Sequence, residues 1–196
     1  MPLPAFFGPL QAVPAAPAVA GAVPAAARAK RLNVAMERPQ PTEWCWAATT
    51  AAVTSFYAAL HHTGQAVTAC QVATDCLFTP CCPEPTDPAD PRNREYALEG
   101  ALSTEGHLAQ GPLDGPLDFA AVMTEIDADR PVCCRITWEA DSSQNAHFNA
   151  IVGYHDDALR DLDVSDCLYG DHTLPYDTFA QSYQGKGRWA QTYLTS

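Results

Sequence analysis

Apolar positions change period near residue 131, dividing the chain into a helical half and a strand half. From Cys45 to about His61, Trp46, Val53, Tyr57 and Leu60 fall on one face of a helical repeat, with Gly64 as its stop. A short helix is expected over Thr68 to Leu77, then a Pro-rich loop from Pro80 to Pro91. Helical patterns resume over Arg94 to Thr104 and over Leu117 to Ile126, where Phe119, Val122 and Ile126 share a face. Beyond Pro131 the period is two: Val132, Cys134, Ile136 and Trp138 alternate with Cys133, Arg135 and Thr137. His147 to Tyr154 reads as a buried strand, with further strands over Asp161 to Asp166 and Arg188 to Leu194. Helices followed by strands predict an α+β fold with an antiparallel sheet, not a wound βαβ arrangement.

Length and composition refine this picture at the N-terminal side. The 196 residues are 47% hydrophobic, which supplies a core for one domain with some excess. The excess is residues 1–37, an Ala/Pro-rich stretch expected to be a flexible leader or linker, with the folded domain spanning 38–196. Leu3 to Ala27 is interrupted by Pro4, Pro9, Pro14, Pro17 and Pro24, and Arg28, Lys30 and Arg31 follow the apolar part. A conventional signal peptide has the opposite order. No stretch reaches the about 18 apolar residues of a spanning helix.

The formal net charge is −12; from Glu37 onward, 8 basic residues face 23 acidic ones, a net −15. That balance opposes nucleic acid and anionic membrane as partners, since both are bound through Lys and Arg. It weakly favours cationic peptides.

The first candidate for chemistry is Cys45, in the first turn of the expected helix, with Thr42 as its cap. A helix N-terminus favours thiolate over thiol, which makes a nucleophile. The same position also suits a buried structural cysteine. A nucleophile needs a base. His61 and His62 lie at a helix end, while His107, His155 and His172 lie in or beside turns, and all read as surface histidines. His147 instead opens an apolar strand, where a rigid element would hold a base; a hydrogen-bonded core histidine is the alternative. Side-chain parity then places Asp166 with Leu162 and Val164 on the apolar face, and Asp163 on the solvated one. A carboxylate on the apolar side needs a partner, and an imidazolium at His147 supplies one. Asn149 is a weaker candidate orienter. Gln40, five residues before Cys45, can add a side-chain amide to the Cys45 N–H as an oxyanion hole.

Gln40 with Trp44-Cys45-Trp46-Ala47-Ala48, then His147-Phe148 running into Ile151-Val152-Gly153-Tyr154, then Asp166, resemble the papain-like cysteine proteases of bacteria. That group includes secreted effector proteases. Cys70-Gln71-Val72-Ala73, Leu174 to Phe179 and Trp189 to Tyr193 extend the resemblance over about residues 38–195. It implies a papain-like fold, with an N-terminal helical lobe carrying Cys45 against a C-terminal sheet lobe carrying His147. It also implies peptide hydrolysis through a Cys45 thioester, with His147 shuttling the proton, Asp166 orienting it and Gln40 holding the oxyanion. The chain departs from the pattern at Cys167, where a proline often follows the aspartate, at Cys133-Cys134, and in a short Cys-to-His separation.

Setting Cys45 aside leaves seven cysteines, an odd number, with Cys134 the natural free thiol by strand parity. The remaining six allow 15 connectivities. Their clustering between Cys70 and Cys82 predicts at least one local bridge on the Pro-rich loop and an oxidising destination, hence secretion or delivery out of the producing cell, with a cytoplasmic protein as the alternative. Cys76 and Cys81 have a zinc-like spacing, but adjacent Cys82 and the lack of a second pair make a poor metal site. No cofactor or metal is expected, and a monomer is. Three functions fit: a cysteine peptidase acting on peptides or proteins, an amidase, deamidase or transacylase on the same triad, and a disulfide-stapled binding or toxin-like module.

Overall fold

The computed structural model describes residues 28–138 and 146–196. Among the described residues, five helices and seven strands follow one another as β1 (Arg28–Arg31), α1 (Cys45–His61), α2 (Ala69–Leu77), α3 (Leu98–Thr104), β2 (Leu108–Asp114), α4 (Phe119–Asp127), β3 (Val132–Thr137), β4 (Ala146–Asp156), β5 (Asp161–Ser165), β6 (His172–Pro175), α5 (Tyr176–Ser182) and β7 (Arg188–Thr195). The strands form one antiparallel sheet in the order β2-β7-β3-β4-β5-β6. β4 is its longest member, and two strands share one of its edges. β3 pairs with residues 146–151 and β1 takes over at 153–156.

That pairing brings residues of the stretch expected as a leader into the sheet. Arg28–Arg31 lies in the sheet, and Leu32 and Val34 are buried in the core. The sheet therefore takes in residues about ten positions before Arg38, because β4 is too long for β3 alone to cover its edge. Residues 1–27 lie outside the described residues. At Gly153 a Cβ would lie 2.5 Å from Asp163 Oδ2 and 2.8 Å from the Lys30 carbonyl oxygen, so glycine is what lets β1 and β5 close on β4 together.

α1 is buried from Trp46 to Val53 and again at Phe56 and Tyr57, so it is a core helix wrapped on several sides, not a single-faced one. Leu60, expected on its inner face, is 41% exposed. The helix ends at His62, which adopts the left-handed conformation and donates its N–H back to Ala58 and Ala59, before Gly64 is reached. α2 starts on a capping box, Thr68 and Gln71 each satisfying the other's backbone N–H. α1, α2 and α3 pack together as a helical layer, α1 also meeting β4, while α4 covers β1, β3 and β4 and α5 covers β5, β6 and β7. Every residue of β4 from His147 to Tyr154 is buried, so both sheet faces are covered.

Cys70 is bridged to Cys82, tying α2 to the Pro-rich loop as the clustering predicts, and Cys134 is a free thiol. Cys76, Cys81, Cys133 and Cys167 are also unbridged. Replacing both Cys70 and Cys82 by alanine should cost roughly 2–3 kcal/mol, the loop-closure entropy of a short crosslink. A thermal melt would read that as a fall in Tm of about 5–10 °C, and an unchanged Tm would mean the bridge does not constrain the unfolded chain.

Candidate active site

Cys45 is the first residue of α1. The residue before it, Trp44, is fully buried, with its indole N–H donating to the Arg92 carbonyl oxygen, which fixes where the helix begins. No side chain caps this N-terminus; Thr42, the expected cap, instead donates to Glu43 and accepts from Asn93. The partial positive charge of the helix end thus faces the cleft uncompensated. Cys45 is half-buried and unbridged, and it lines the same two cavities as His147.

His147 is the second residue of β4 and reaches across to Cys45 from the sheet. Its Nε2 lies 2.8 Å from Asp166 Oδ2, leaving Nδ1 as the ring nitrogen for the thiol. Strand register explains the meeting. Ala150 pairs with Ser165, so Asp166, one residue past β5, comes level with Asn149 and within reach of His147. Burial alone would lower the His147 pKa; the hydrogen bond it donates to Asp166, together with the neighbouring Cys45, outweighs burial and raises the value to about 9.

Asp166 is 2% exposed and its two oxygens accept from five donors. Oδ2 takes His147, the Asn149 amide at 3.2 Å and the Tyr183 hydroxyl at 2.6 Å. Oδ1 takes the backbone N–H groups of Leu168 and Tyr169 at 2.8 and 2.9 Å. Burial opposes ionisation, but His147 and these donors overcome it and lower the pKa to about 2. Five donors also leave this carboxylate no capacity for a cation, although His147, Asp166 and Cys167 present ligand atoms within 4.8 Å of one another.

Asp163 departs from its expected solvated place. It is 3% exposed and accepts from Thr173 Oγ1 at 2.6 Å and pairs with Arg31 and His155, because β5 is an inner strand with both faces covered. His155 and Asp163 are thus a second histidine–carboxylate pair on the same two strands as the first. What separates them is Cys45, which meets only His147.

Three aromatic residues complete the site, and no sequence spacing pointed to them. Trp138, one residue past β3, lies nearly parallel to the His147 ring at 6.5 Å, because Thr137 pairs with Ala146 at the start of β4. A Cβ at Gly187 would lie 2.7 Å from Trp138, so glycine there admits the indole. Tyr169 stands edge-on to His147 at 5.9 Å, and Tyr183 holds Asp166 from below. Together they dry the His147–Asp166 bond, which strengthens it.

Two cavities meet at Cys45 and His147. The larger, about 550 Å³, runs past Trp46, Tyr96 and Tyr193 beneath Glu43, Glu95 and Glu99. The smaller, about 410 Å³, is bordered by Arg38, Gln40, Cys167 and Leu168. Gln40 is exposed there, with its backbone N–H on Glu84 at 2.7 Å.

The arrangement, a cysteine on a helix start facing a strand-borne histidine across an α+β cleft, is that of the papain-like fold. Residues 31–193 match the Peptidase_C39 like family, and the chain belongs to that family. Among solved structures it is similar to a C39-like peptidase from Bacillus anthracis, with 16% identity, a TM-score of 0.52, and coverage of 85% of this chain and 97% of that one. It also matches the proform of the Amb a 11 cysteine protease, a ragweed pollen allergen, at 15% identity and a TM-score of 0.49, over 85% of this chain and 64% of that one. No curated protein sequence matches it.

Proposed function

We propose that the protein is a cysteine peptidase that hydrolyses peptide bonds through a thioester on Cys45. The observation that carries this reading is the His147–Asp166 hydrogen bond placed, with the Cys45 thiol, where two cavities join. A peptide lying through both cavities presents its carbonyl to the sulfur. Cys45 attacks as thiolate while His147 holds the proton, and Asp166 keeps the imidazolium oriented. His147 then protonates the departing amine, and water, deprotonated by the same ring, opens the thioester. Negative charge on the carbonyl oxygen falls to the Cys45 N–H at the uncapped helix start and to Gln40, whose place on the smaller cavity supports that role. That Cys45 is an unbridged thiol on the cleft supports catalysis over a stapled binding module. The Cys70–Cys82 bridge supports an oxidising destination outside the producing cell.

The test is brief treatment of the full chain with an epoxysuccinyl inactivator, followed by peptide mass spectrometry. One adduct, on Cys45, lost in His147→Ala, is the expected result; labelling that ignores His147 would remove the proposed base. Product masses from a peptide library add the acceptor: cleavage with one water gained marks a peptidase, whereas an uncut chain that has released ammonia and taken up water marks a deamidase.

A further inference from the structure

Cys167 has no part in the chemistry above, yet its thiol borders the smaller cavity together with Cys45 and His147. It is 7% exposed and unbridged. Its sulfur lies within 4.8 Å of a His147 ring nitrogen, and Cys45 borders the same cavity as that ring, so two thiols neighbour one imidazole. The other free cysteines, Cys76, Cys81, Cys133 and Cys134, are buried and border neither cavity. An oxidant entering the cleft therefore meets half-buried Cys45 first, with Cys167 behind it.

We propose that Cys45 is a site of reversible oxidation by hydroperoxides and that Cys167 is its resolving thiol, closing a Cys45–Cys167 disulfide that spares the nucleophile from irreversible loss. The proposal rests on the peptidase reading only in requiring a reactive Cys45. In the first step the Cys45 thiolate attacks the distal peroxide oxygen. The O–O bond breaks, an S–O bond forms, sulfur is oxidised by two electrons, and the departing alkoxide or hydroxide takes a proton from the His147 imidazolium. In the second, Cys167 gives its proton to the now neutral His147 and its sulfur attacks the sulfenic sulfur. The S–S bond forms, the S–O bond breaks, and hydroxide leaves as water with the proton from His147. The sum is two thiols and one hydroperoxide giving one disulfide, one alcohol or water, and one water. Local electrostatics order the steps. Burial and, next, negative charge at Cys45 keep Cys167 protonated, ahead of the effect of neighbouring Asp166. Oxidation of Cys45 to a neutral sulfenic acid removes the second of these causes, while burial keeps Cys167 a thiol until it gives its proton to His147 in the attack.

The experiment treats the full chain with a small excess of hydrogen peroxide, alkylates remaining thiols, digests without reductant and maps the peptides by mass. A Cys45–Cys167 linked pair, two hydrogens lighter than the reduced peptides, is expected, with activity restored by dithiothreitol. In Cys167→Ser, Cys45 should instead progress to sulfinic and sulfonic acid, and the fraction of activity recovered should fall at least about fivefold. Sulfinic acid at Cys45 of the unaltered chain, a link to any other cysteine, or equal recovery in Cys167→Ser would overturn the proposal. The linked peptide is read on the unaltered chain and does not depend on the variant folding. Iodoacetamide labelling of untreated protein separates the two readings: fast alkylation of Cys45 with no linked pair refutes the resolving role alone, and slow alkylation refutes both.

Discussion

Cys45→Ala should lower kcat for peptide hydrolysis by on the order of 10⁶ while leaving the circular dichroism and Tm of the protein unchanged. The sulfur is the atom that forms the thioester, and no neighbouring group can replace it. Cys167, the other thiol beside His147, is buried. The fold should be indifferent, since Cys45 is half-buried at a helix start and the core contacts of that turn come from Trp44 and Trp46. The variant also carries a spectroscopic signature. The neighbouring Cys45 helps hold the His147 pKa near 9, so its loss should shift the His147 titration downward by NMR. Retained turnover, or an unmoved His147 titration, would detach Cys45 from the site.

Asp166→Ala is expected to damage both rate and stability. Removing the carboxylate takes the acceptor from His147, Asn149, Tyr183 and two backbone N–H groups at once. Breaking a buried pair of this kind costs about 3–5 kcal/mol, and loss of the orienting carboxylate costs about 10⁴ in kcat. Asp166→Asn separates the two effects: it keeps an oxygen for the turn but cannot hold an imidazolium, so stability should recover more than rate. The pH dependence follows from the signs. The Asp166 pKa is lowered from 3.8 to about 2, so its stabilisation is complete above 3.8 and lost as pH falls through about 2. The His147 pKa is raised from 6.5 to about 9, so its stabilisation is complete below 6.5 and lost as pH rises through about 9. The alkaline limb of kcat/KM should therefore fall near pH 9 and move to lower pH in Asp166→Asn. An alkaline limb that stays in place would mean that another group sets it.

Cys45 and His147, the proposed nucleophile and base, were legible because each sits at the start of an element with a strong pattern. α1 and β4 are long apolar segments, and the cysteine and histidine that open them stand out against their surroundings. The edges of the sheet were not. β1, with the sequence Arg-Ala-Lys-Arg, has no apolar period and is a strand only because β4 offers it an unpaired edge. β2 contains Gly111-Pro112 and is tolerated as an edge strand against β7 alone. β6 and α5 are too short, at four and seven residues, to show a period. Parity selected Asp166 over Asp163, yet both are buried, since an inner strand has no solvated face. Proximity to His147 is the real discriminator, and strand register sets it. Tyr183, joined to Asp166 across 17 residues, is a tertiary contact with no local signal.

β4 has one more consequence. Its second residue is His147, and its last, Asp156, pairs with Arg28, the first of the described residues. Nine residues of extended strand separate those ends by about 30 Å. A reporter or affinity handle joined ahead of Arg28 thus attaches at the end of the molecule remote from the cleft. Anchoring the protein to a surface through Arg28 would hold His147 about 30 Å along the strand from the point of attachment.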